Sequence, residues 1–324
     1  MLLHYFGIKE EYKMTHNKYT YLLIFGMIIL SLKDMTAQQL ANSTHISEAR
    51  AAWNPAITAV GNDLVADGFF RMQWLGFNGA PVSGFTSLQI PFPEMNMSAG
   101  ALLNFDKTGP VSKVGAQLNY AYKLKGFLSN YGQLSIGVSG NFQQYSFDGS
   151  GQFYKDEGDL LISNSRSSAF FPSIGSGVYY TSNIREYKGN TFFAGVAVNQ
   201  IYTTKVLIND FDQVRQKHFH LNAGGRFYSF DSYLEPMITA NIVNPAIADL
   251  LFSLKYEKEN TFWAGLGYAG SGMAALQAGI IIDEFGGSYG KLKIGVLGNY
   301  GLTSSISKTG PGFEFYIAYL VPRK

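Results

Sequence analysis

Long segments of alternating apolar and polar side chains dominate this 324-residue chain. In residues 114–124, Val114, Leu118 and Tyr122 share one face with other apolar residues, while Gly, Gln, Asn, Ala and Lys occupy the opposite face. A period of two is typical of a β-strand. The same split recurs over residues 134–142 and 291–302. We therefore predict an all-β chain.

About fourteen such segments follow residue 61, and most are ten residues or longer. The predicted strands cover residues 63–75, 82–91, 96–106, 112–125, 131–146, 168–182, 190–203, 217–230, 233–244, 248–258, 261–270, 273–285, 289–302 and 311–321. Strands of globular proteins average about five or six residues, whereas a tilted transmembrane strand needs about 9–11. An even strand number closes an antiparallel barrel with both chain ends on the same side. The lengths and number thus predict a transmembrane antiparallel β-barrel of about 14 strands in an outer membrane.

Composition narrows the class of protein further. The chain has no cysteine, which excludes disulfide scaffolds, thiolate metal sites and cysteine catalysis. Charged residues make up 15% and the net charge is +2, so no electrostatic field gathers nucleic acid. The 21 Tyr and 25 Phe residues are sufficient for aromatic girdles at two membrane interfaces. A soluble exported β protein, with its apolar faces turned inward, stays an alternative.

The amino terminus has the features of a signal for export. Residues 22–32 form an apolar run with Lys13 and Lys18 before it and small residues up to Ala37 after it. This run is shorter than the roughly 20 residues of a membrane-spanning helix, so we predict a signal peptide over residues 1–37, with Met14 as a possible start. A lone membrane anchor is the alternative reading. Residues 38–60 are predicted to be a periplasmic or plug segment, and residues 61–324 the barrel.

The connections between the predicted strands differ in length in an alternating manner. The two longest, residues 147–167 and 204–216, follow strands five and seven, whereas the short turns 126–130 and 286–288 fall on the other side. Outer-membrane barrels have short periplasmic turns and longer outer loops. The pattern predicts a chain that enters the barrel from the periplasm.

Several residues along this barrel resemble the PorP/SprF family of outer-membrane proteins from the type IX secretion and gliding machinery of Bacteroidota. The matching residues outside the longer segments are Trp53, Asn54, Pro55 and Ala56, then Arg71, Gln73 and Trp74, then Ala80 and Pro81. The matching segments are 192–200, 217–227, 233–240, 261–270 with Trp263, and 310–320 with Glu314. The series is collinear and covers nearly all of the chain after the predicted signal peptide.

Two features depart from the pattern of that family. The chain ends in Val321, Pro322, Arg323 and Lys324 instead of the terminal aromatic residue that often serves as a barrel-assembly signal. In the last strand, Gly312, Phe313 and Glu314 stand where members often have Ser-His-Glu, so only the glutamate is retained. The first departure puts efficient recognition by the assembly machinery in doubt.

The resemblance implies a binding and anchoring role. Members are associated with secretion or surface retention of adhesins and other cargo that bear a carboxyl-terminal sorting domain. The implied partners are such cargo, periplasmic envelope proteins of the secretion machinery, and membrane lipid with lipopolysaccharide, but no nucleic acid. An outer-membrane channel or small-molecule transporter is the alternative, because a barrel of this size has room for a lumen.

No motif in the chain predicts catalysis or a cofactor. Gly265, Gly267 and Gly270 spell the dinucleotide-binding pattern, but they lie in and after an aromatic strand and not in a βαβ unit. His218 and His220 share one face of a strand, a spacing that fits metal ligation, yet no third ligand is identifiable. We predict a structural role for both motifs, and no enzyme, cofactor or metal site.

Overall fold

The computed structural model describes residues 48–149, 166–184, 189–203, 206–208, 211–213, 216–244, 247–285, 289–303 and 310–323. The chain divides into two compact units, Met1–Gln38 and Gln39–Lys324, and all described residues belong to the second. The predicted signal peptide, residues 1–37, lies outside the described residues. Among the described residues, no helix is long and apolar enough to cross a bilayer.

Within these ranges, fourteen antiparallel strands close into one barrel. They are β1 (Asp63–Met72), β2 (Val82–Phe92), β3 (Met97–Thr108), β4 (Val111–Lys125), β5 (Gln133–Asp148), β6 (Arg166–Thr181), β7 (Thr191–Thr203), β10 (His218–Ser229), β11 (Ser232–Asn244), β12 (Ile247–Lys258), β13 (Phe262–Ala269), β14 (Met273–Ile282), β15 (Lys291–Gly301) and β16 (Gly312–Pro322). The hairpin of β8 (Val206–Ile208) and β9 (Phe211–Gln213) forms a separate sheet in the connection between β7 and β10. The first strand pairs with the last from Asp63↔Pro322 to Met72↔Phe313, which closes the barrel.

The predicted barrel and its strand number are confirmed, but two predicted strand ends are wrong. β1 ends at Met72 instead of residue 75, and β14 ends at Ile282 instead of residue 285. The reason is a left-handed backbone just beyond each end, with φ of 55° at Trp74 and at Glu284. The hairpin of β8 and β9 lies in a connection that we predicted to be a loop.

The two faces of the strands are inverted relative to a soluble protein. On β4, the inward side chains of Lys123 and Asn119 are 1% and 8% exposed, whereas the outward side chains of Leu118 and Val114 are 57% and 61% exposed. A barrel in water would bury its apolar face, while a barrel in lipid turns that face outward. The structure thus favours the membrane barrel over the soluble exported protein.

Exposed aromatic side chains lie toward both ends of the strands. At one end they include Phe70, Phe105, Phe170, Tyr268, Tyr300 and Phe313, and at the other Tyr120, Tyr122, Phe192, Phe227, Tyr256 and Phe262. Aliphatic side chains such as Leu118 and Leu266 occupy the outward face between them. This distribution matches an apolar band with an aromatic girdle at each interface.

The two ends of the barrel differ in their connections. We name the end where β1 begins and β16 ends the terminal end, and the opposite end the loop end. Connections at the loop end include residues 149–165 and 204–217, whereas those at the terminal end include 93–96 and 230–231. The two longest connections thus lie at the end opposite to the start of β1.

Candidate functional site in the barrel lumen

Residues 48–62, here called the lumenal segment, precede β1 and contain two turns of 3₁₀-helix, Arg50–Ala52 and Pro55–Ile57. Asn54 caps the second turn, because its Oδ1 accepts a hydrogen bond of 3.0 Å from the Ala56 N–H. Pro55 occupies a first-turn position, where the missing N–H costs nothing. The Asn-Pro-Ala motif is therefore a compact, self-capped turn.

Side chains from strands on different sides of the barrel hydrogen-bond to the main chain of the lumenal segment. Ser98 Oγ donates to Thr58 O at 2.6 Å, Gln117 Nε2 to Ala52 O at 3.5 Å, Asn119 Nδ2 to Ala51 O at 3.2 Å, Asn199 Nδ2 to Trp53 O at 3.0 Å and Lys123 Nζ to Ala59 O, while Gln89 Oε1 accepts from Ala59 N–H at 2.9 Å. These side chains come from β2, β3, β4 and β7, and further contacts come from β12 and β15. Residues that contact walls so far apart in strand order lie inside the barrel.

The Asn-Pro-Ala turn rests on a row of small side chains. The row comprises Ala121, Gly137, Gly177 and Ala197, which are direct cross-strand partners on β4, β5, β6 and β7. A Cβ atom at Gly137 would lie 2.3 Å from the Ala56 nitrogen, and one at Gly177 would lie 2.1 Å from Asn54 Oδ1. Both distances are far shorter than a van der Waals contact. The absence of side chains at these two positions is what admits the turn.

Asn54 links this turn to the wall on which it rests. Its Nδ2 donates to Val178 O at 3.2 Å, and the residue is fully buried. The amide therefore uses its acceptor within the lumenal segment and its donor on β6. A side chain that offers only acceptors would leave the Val178 carbonyl without its donor, and a side chain without an acceptor would leave the Ala56 N–H without its partner.

An ion cluster at the terminal end holds the start of the lumenal segment. It consists of Glu48, Lys255, Glu257 and Lys293, here called the charge cluster. Lys293 Nζ lies 3.6 Å from Glu48 Oε2 and 3.2 Å from Glu257 Oε2, while Lys255 Nζ bonds Glu48 and lies 3.1 Å from Glu257 Oε2. Burial by itself would raise the pKa of Glu48, but the ammonium groups of Lys255 and Lys293 outweigh it and hold that pKa below its usual value of 4.5. The carboxylate is thus charged where it meets the wall.

A second ion pair, between the half-buried Arg226 and the buried Glu235, lies beside the charge cluster. Arg226 Nε donates to Glu235 Oε2 at 2.5 Å, and the guanidinium lies 5.2 Å from the centre of the Tyr233 ring. The ammonium of Lys255 lies 5.4 Å from the centre of the same ring. Cations over the Tyr233 face join this pair to the charge cluster.

Trp53 packs among aromatic groups of the wall. Its ring stacks on His220 at 6.2 Å and meets Phe85 edge-on at 6.1 Å. His220 Nδ1 lies 2.5 Å from Asn241 Oδ1. The described residues include no group of three or more His, Asp or Glu side chains arranged for a metal ion. The geometry of His220 is that of a packing partner for the lumenal segment.

Trp263 lies on β13, in the wall across the lumen from the row of small side chains. It is fully buried and lies across the glycines that are its successive neighbours, Gly279 on β14 and Gly295 on β15. A Cβ atom at Gly279 would lie 2.1 Å from Trp263 Cζ2, and one at Gly295 would lie 2.5 Å from it. The Lys293 ammonium lies 5.6 Å from the ring. Trp263 therefore forms part of the wall that carries the charge cluster.

Arg71 and Glu314 meet across the seam that closes the barrel. They are register partners on β1 and β16, with Arg71 Nε 3.2 Å from Glu314 Oε1 and exposed side-chain fractions of 3% and 0%. Gln73 and Trp74 lie beyond β1 at the loop end, where Gln73 N–H donates to Pro81 O at 2.9 Å and Trp74 is 40% exposed. The structure thus brings Arg71 together with Glu314, and Trp53 with Asn54 and Pro55, but leaves Gln73 and Trp74 apart from both groups. Trp263 belongs to a buried apolar cluster against which Trp53 packs.

The lumenal segment separates two cavities. The one toward the loop end has a volume of about 120 Å³ and is bordered by Trp53, Phe85, Asn104, Lys113 and Gln143. The one toward the terminal end has a volume of about 300 Å³ and is bordered by Glu48, Arg226, Lys255 and Lys293. The same fifteen-residue stretch therefore borders both spaces.

The sequence analysis missed the residues that hold the lumenal segment. Lys255, Glu257 and Lys293 stand on the polar faces of their strands, and charged residues at matching depth on that face were the available signal. Gly137 and Gly177 likewise stand on inward faces. Their joint role depends on how strands distant in sequence meet one segment, which period-two patterns do not encode.

The comparisons with known proteins concern the whole barrel. The chain is similar to the KdgM porin, at 6% identity over 81% of this chain and 100% of that chain with a TM-score of 0.40. It is also similar to a Pseudomonas aeruginosa FadL homologue, at 10% identity over 84% and 93% with a TM-score of 0.46, and to the Pseudomonas putida toluene transporter TodX, at 8% over 85% and 94% with a TM-score of 0.49. No curated protein sequence matches the chain. The family model for the type IX secretion system membrane protein PorP/SprF matches residues 35–319, and the chain belongs to that family.

Proposed function

We propose that this protein is a non-enzymatic outer-membrane barrel of the type IX secretion and gliding machinery, which helps to secrete or anchor a surface adhesin or other cargo with a carboxyl-terminal sorting domain. The observation that carries the proposal is that the lumen of this PorP/SprF-family barrel holds the chain's own residues 48–62. A lumen occupied in this way suits a binding and anchoring role better than free diffusion of small molecules.

The two ends of the barrel suit different partners. The cargo meets the loop end, where the longer connections and the exposed Trp74 lie. Periplasmic envelope proteins of the machinery meet the terminal end, where the chain enters after export by a signal peptide over residues 1–37. Lipid and lipopolysaccharide surround the outward apolar band. In this orientation the lumenal segment acts as a plug between the two compartments.

Detergent extraction of the tagged full-length protein from its native membrane tests this role. A large surface protein with a carboxyl-terminal sorting domain is expected to copurify, and a tagged unrelated barrel of similar size serves as the control. Cells that lack the protein are expected to release that surface protein into the medium. Retention of all surface proteins at normal levels would contradict the anchoring role.

Conductance in planar bilayers distinguishes the alternative, an outer-membrane channel or small-molecule transporter. The purified protein is expected to stay closed, with brief openings at most, because the lumenal segment crosses its lumen. A steady open pore, together with no copurifying cargo, would favour the channel.

A further inference from the structure

The barrel wall makes many hydrogen bonds to the main chain of the lumenal segment. The wall groups Ser98, Asn119 and Asn199 donate to carbonyl oxygens, and Gln89 accepts from a main-chain N–H. Main-chain atoms are common to all peptides, so these contacts place few demands on sequence. This recognition resembles that of a peptide-binding site.

Side chains of the lumenal segment also contact the wall, among them the Trp53 ring on His220 and the Arg50 guanidinium 4.7 Å from the centre of the Phe193 ring. The turn and the first residue of the segment add two further requirements on sequence. At the turn, a Cβ atom at Gly137 or Gly177 would collide with Ala56 or Asn54, and both of these turn residues are fully buried. Six positions before Asn54, the carboxylate of Glu48 meets Lys255 and Lys293. The wall therefore selects an acidic residue followed, after five others, by an Asn-Pro-Ala turn.

The barrel is complete without this segment. The lumenal segment contributes no strand, and β1 pairs with β2 and β16 along its length. The hydrogen-bonded wall thus depends on residues 63–322 alone. The lumenal segment relates to this wall as a ligand relates to a receptor.

From these observations we propose that the lumen is a peptide-binding site whose resident ligand is residues 48–62, and that a segment of the same kind from a second chain occupies it when the resident has left. The occupant is a short irregular peptide with an Asn-Pro-Ala turn and a carboxylate six residues before the asparagine. The proposal depends on the geometry of the wall and not on the secretion role.

The test uses full-length protein in detergent and a fluorescent synthetic peptide of residues 48–62. In the wild-type protein the resident competes at high effective concentration and little peptide binds. The substitution Ala56→Trp, which puts a large side chain at a fully buried position of the turn, is expected to expel the resident turn and to increase peptide affinity by about tenfold or more. Adding Gly137→Val to that variant fills the seat and is expected to abolish binding. A peptide that itself carries Ala56→Trp is the matched control.

Two outcomes would overturn the proposal. One is a folded Ala56→Trp protein, judged by heat-dependent migration on a gel, that binds no more peptide than the wild type. The other is peptide binding that survives Gly137→Val. If Ala56→Trp prevents folding, a protease site inserted between Asn62 and Asp63 allows the resident to be cut after folding. The labelled peptide must then replace the cut segment, and a cut segment that never exchanges would equally overturn the proposal.

Discussion

At the scale of single residues, the structure gives its buried charges partners at the seam and at the terminal end. Arg71 and Glu314 come from the first and last strands, and both side chains are nearly or fully buried. Glu48 meets two ammonium groups, so the start of the lumenal segment is held by charge while its turn is held by shape. At each of these two sites, a substitution that removes one charged group gives a testable prediction.

Replacement of Arg71 by Met leaves the Glu314 carboxylate buried at the seam without its cation. Removing one partner of a buried ion pair typically costs about 3–5 kcal/mol. The temperature or denaturant concentration at which the barrel loses its folded gel mobility is expected to fall. The double variant Arg71→Met with Glu314→Leu is expected to recover much of that loss. Equal stability of the single variant and the wild type would contradict this role.

The Glu48 carboxylate gives a prediction about pH. Its pKa is lower in the folded protein, so its contribution to stability is complete above the unfolded pKa and is lost as pH falls through the lower folded value. The lumenal segment is therefore expected to stay protected from protease at pH 5 and to loosen only well below 4.5. Glu48→Gln is expected to loosen it at neutral pH, whereas Glu94→Gln, at an exposed turn, leaves protection unchanged. Release of the wild-type segment already at pH 5 would argue against this assignment.

At the scale of strands, the walls are shaped by which residues lack side chains. The row from Ala121 to Ala197 seats the Asn-Pro-Ala turn, and a second glycine pair, Gly279 and Gly295, seats Trp263. In both places a strand residue gives up packing of its own so that a group from elsewhere fills the space. Glycine within a strand otherwise weakens it.

The glycine next to Trp263 is testable with a matched control. Gly279→Ala puts a Cβ atom where Trp263 lies and is expected to destabilise the barrel by about 1–3 kcal/mol. Gly298→Ala on the neighbouring strand adds a Cβ atom with nothing within 4 Å and is expected to be neutral. Tryptophan emission reports the change, because the chain has 3 tryptophans. An unshifted spectrum and unchanged stability for Gly279→Ala would show that the wall is softer than its geometry indicates.

Strand positions were predictable because an alternation of side chains over ten or more residues has no other simple explanation. The ends of β1 and β14 were not, since Trp74 and Glu284 adopt a left-handed backbone that their residue types do not require. The resemblance to the PorP/SprF family singled out Asn54 and Pro55 as matching residues. Only the three-dimensional structure shows that Gly137 and Gly177 make space for them. Contacts between one segment and distant strands depend on the register of the whole barrel.

At the scale of the whole molecule, the barrel is defined by an apolar outer surface and a polar, charged interior. The outward side chain of Leu118 is 57% exposed, while the inward Lys123 is 1% exposed. The charges that a soluble protein would place on its surface are here paired around the lumen. The polar and apolar faces of the strands have exchanged the places that they have in a soluble barrel.

The free-energy cost of a charge on the outer surface depends on its depth in the membrane. Leu118→Arg places a guanidinium on the lipid face within β4 and is expected to cost about 2–4 kcal/mol near the bilayer midplane. Leu128→Arg, at a turn of the terminal end where the side chain is 79% exposed, is expected to cost little. The measurement is the fraction of protein that folds into lipid vesicles. Equal folding of the two variants would contradict the assignment of Leu118 to the lipid face.

The seam between β1 and β16 also sets the timing of assembly. The first strand hydrogen-bonds to the last, so one edge of β1 stays open until nearly the entire chain has been made and exported. Contacts between such distant residues form slowly, because the long intervening chain must first be ordered. During that interval the unpaired edge can capture other strands. The chain therefore has a period of vulnerability in the envelope that only a chaperone, or rapid delivery to the membrane, can shorten.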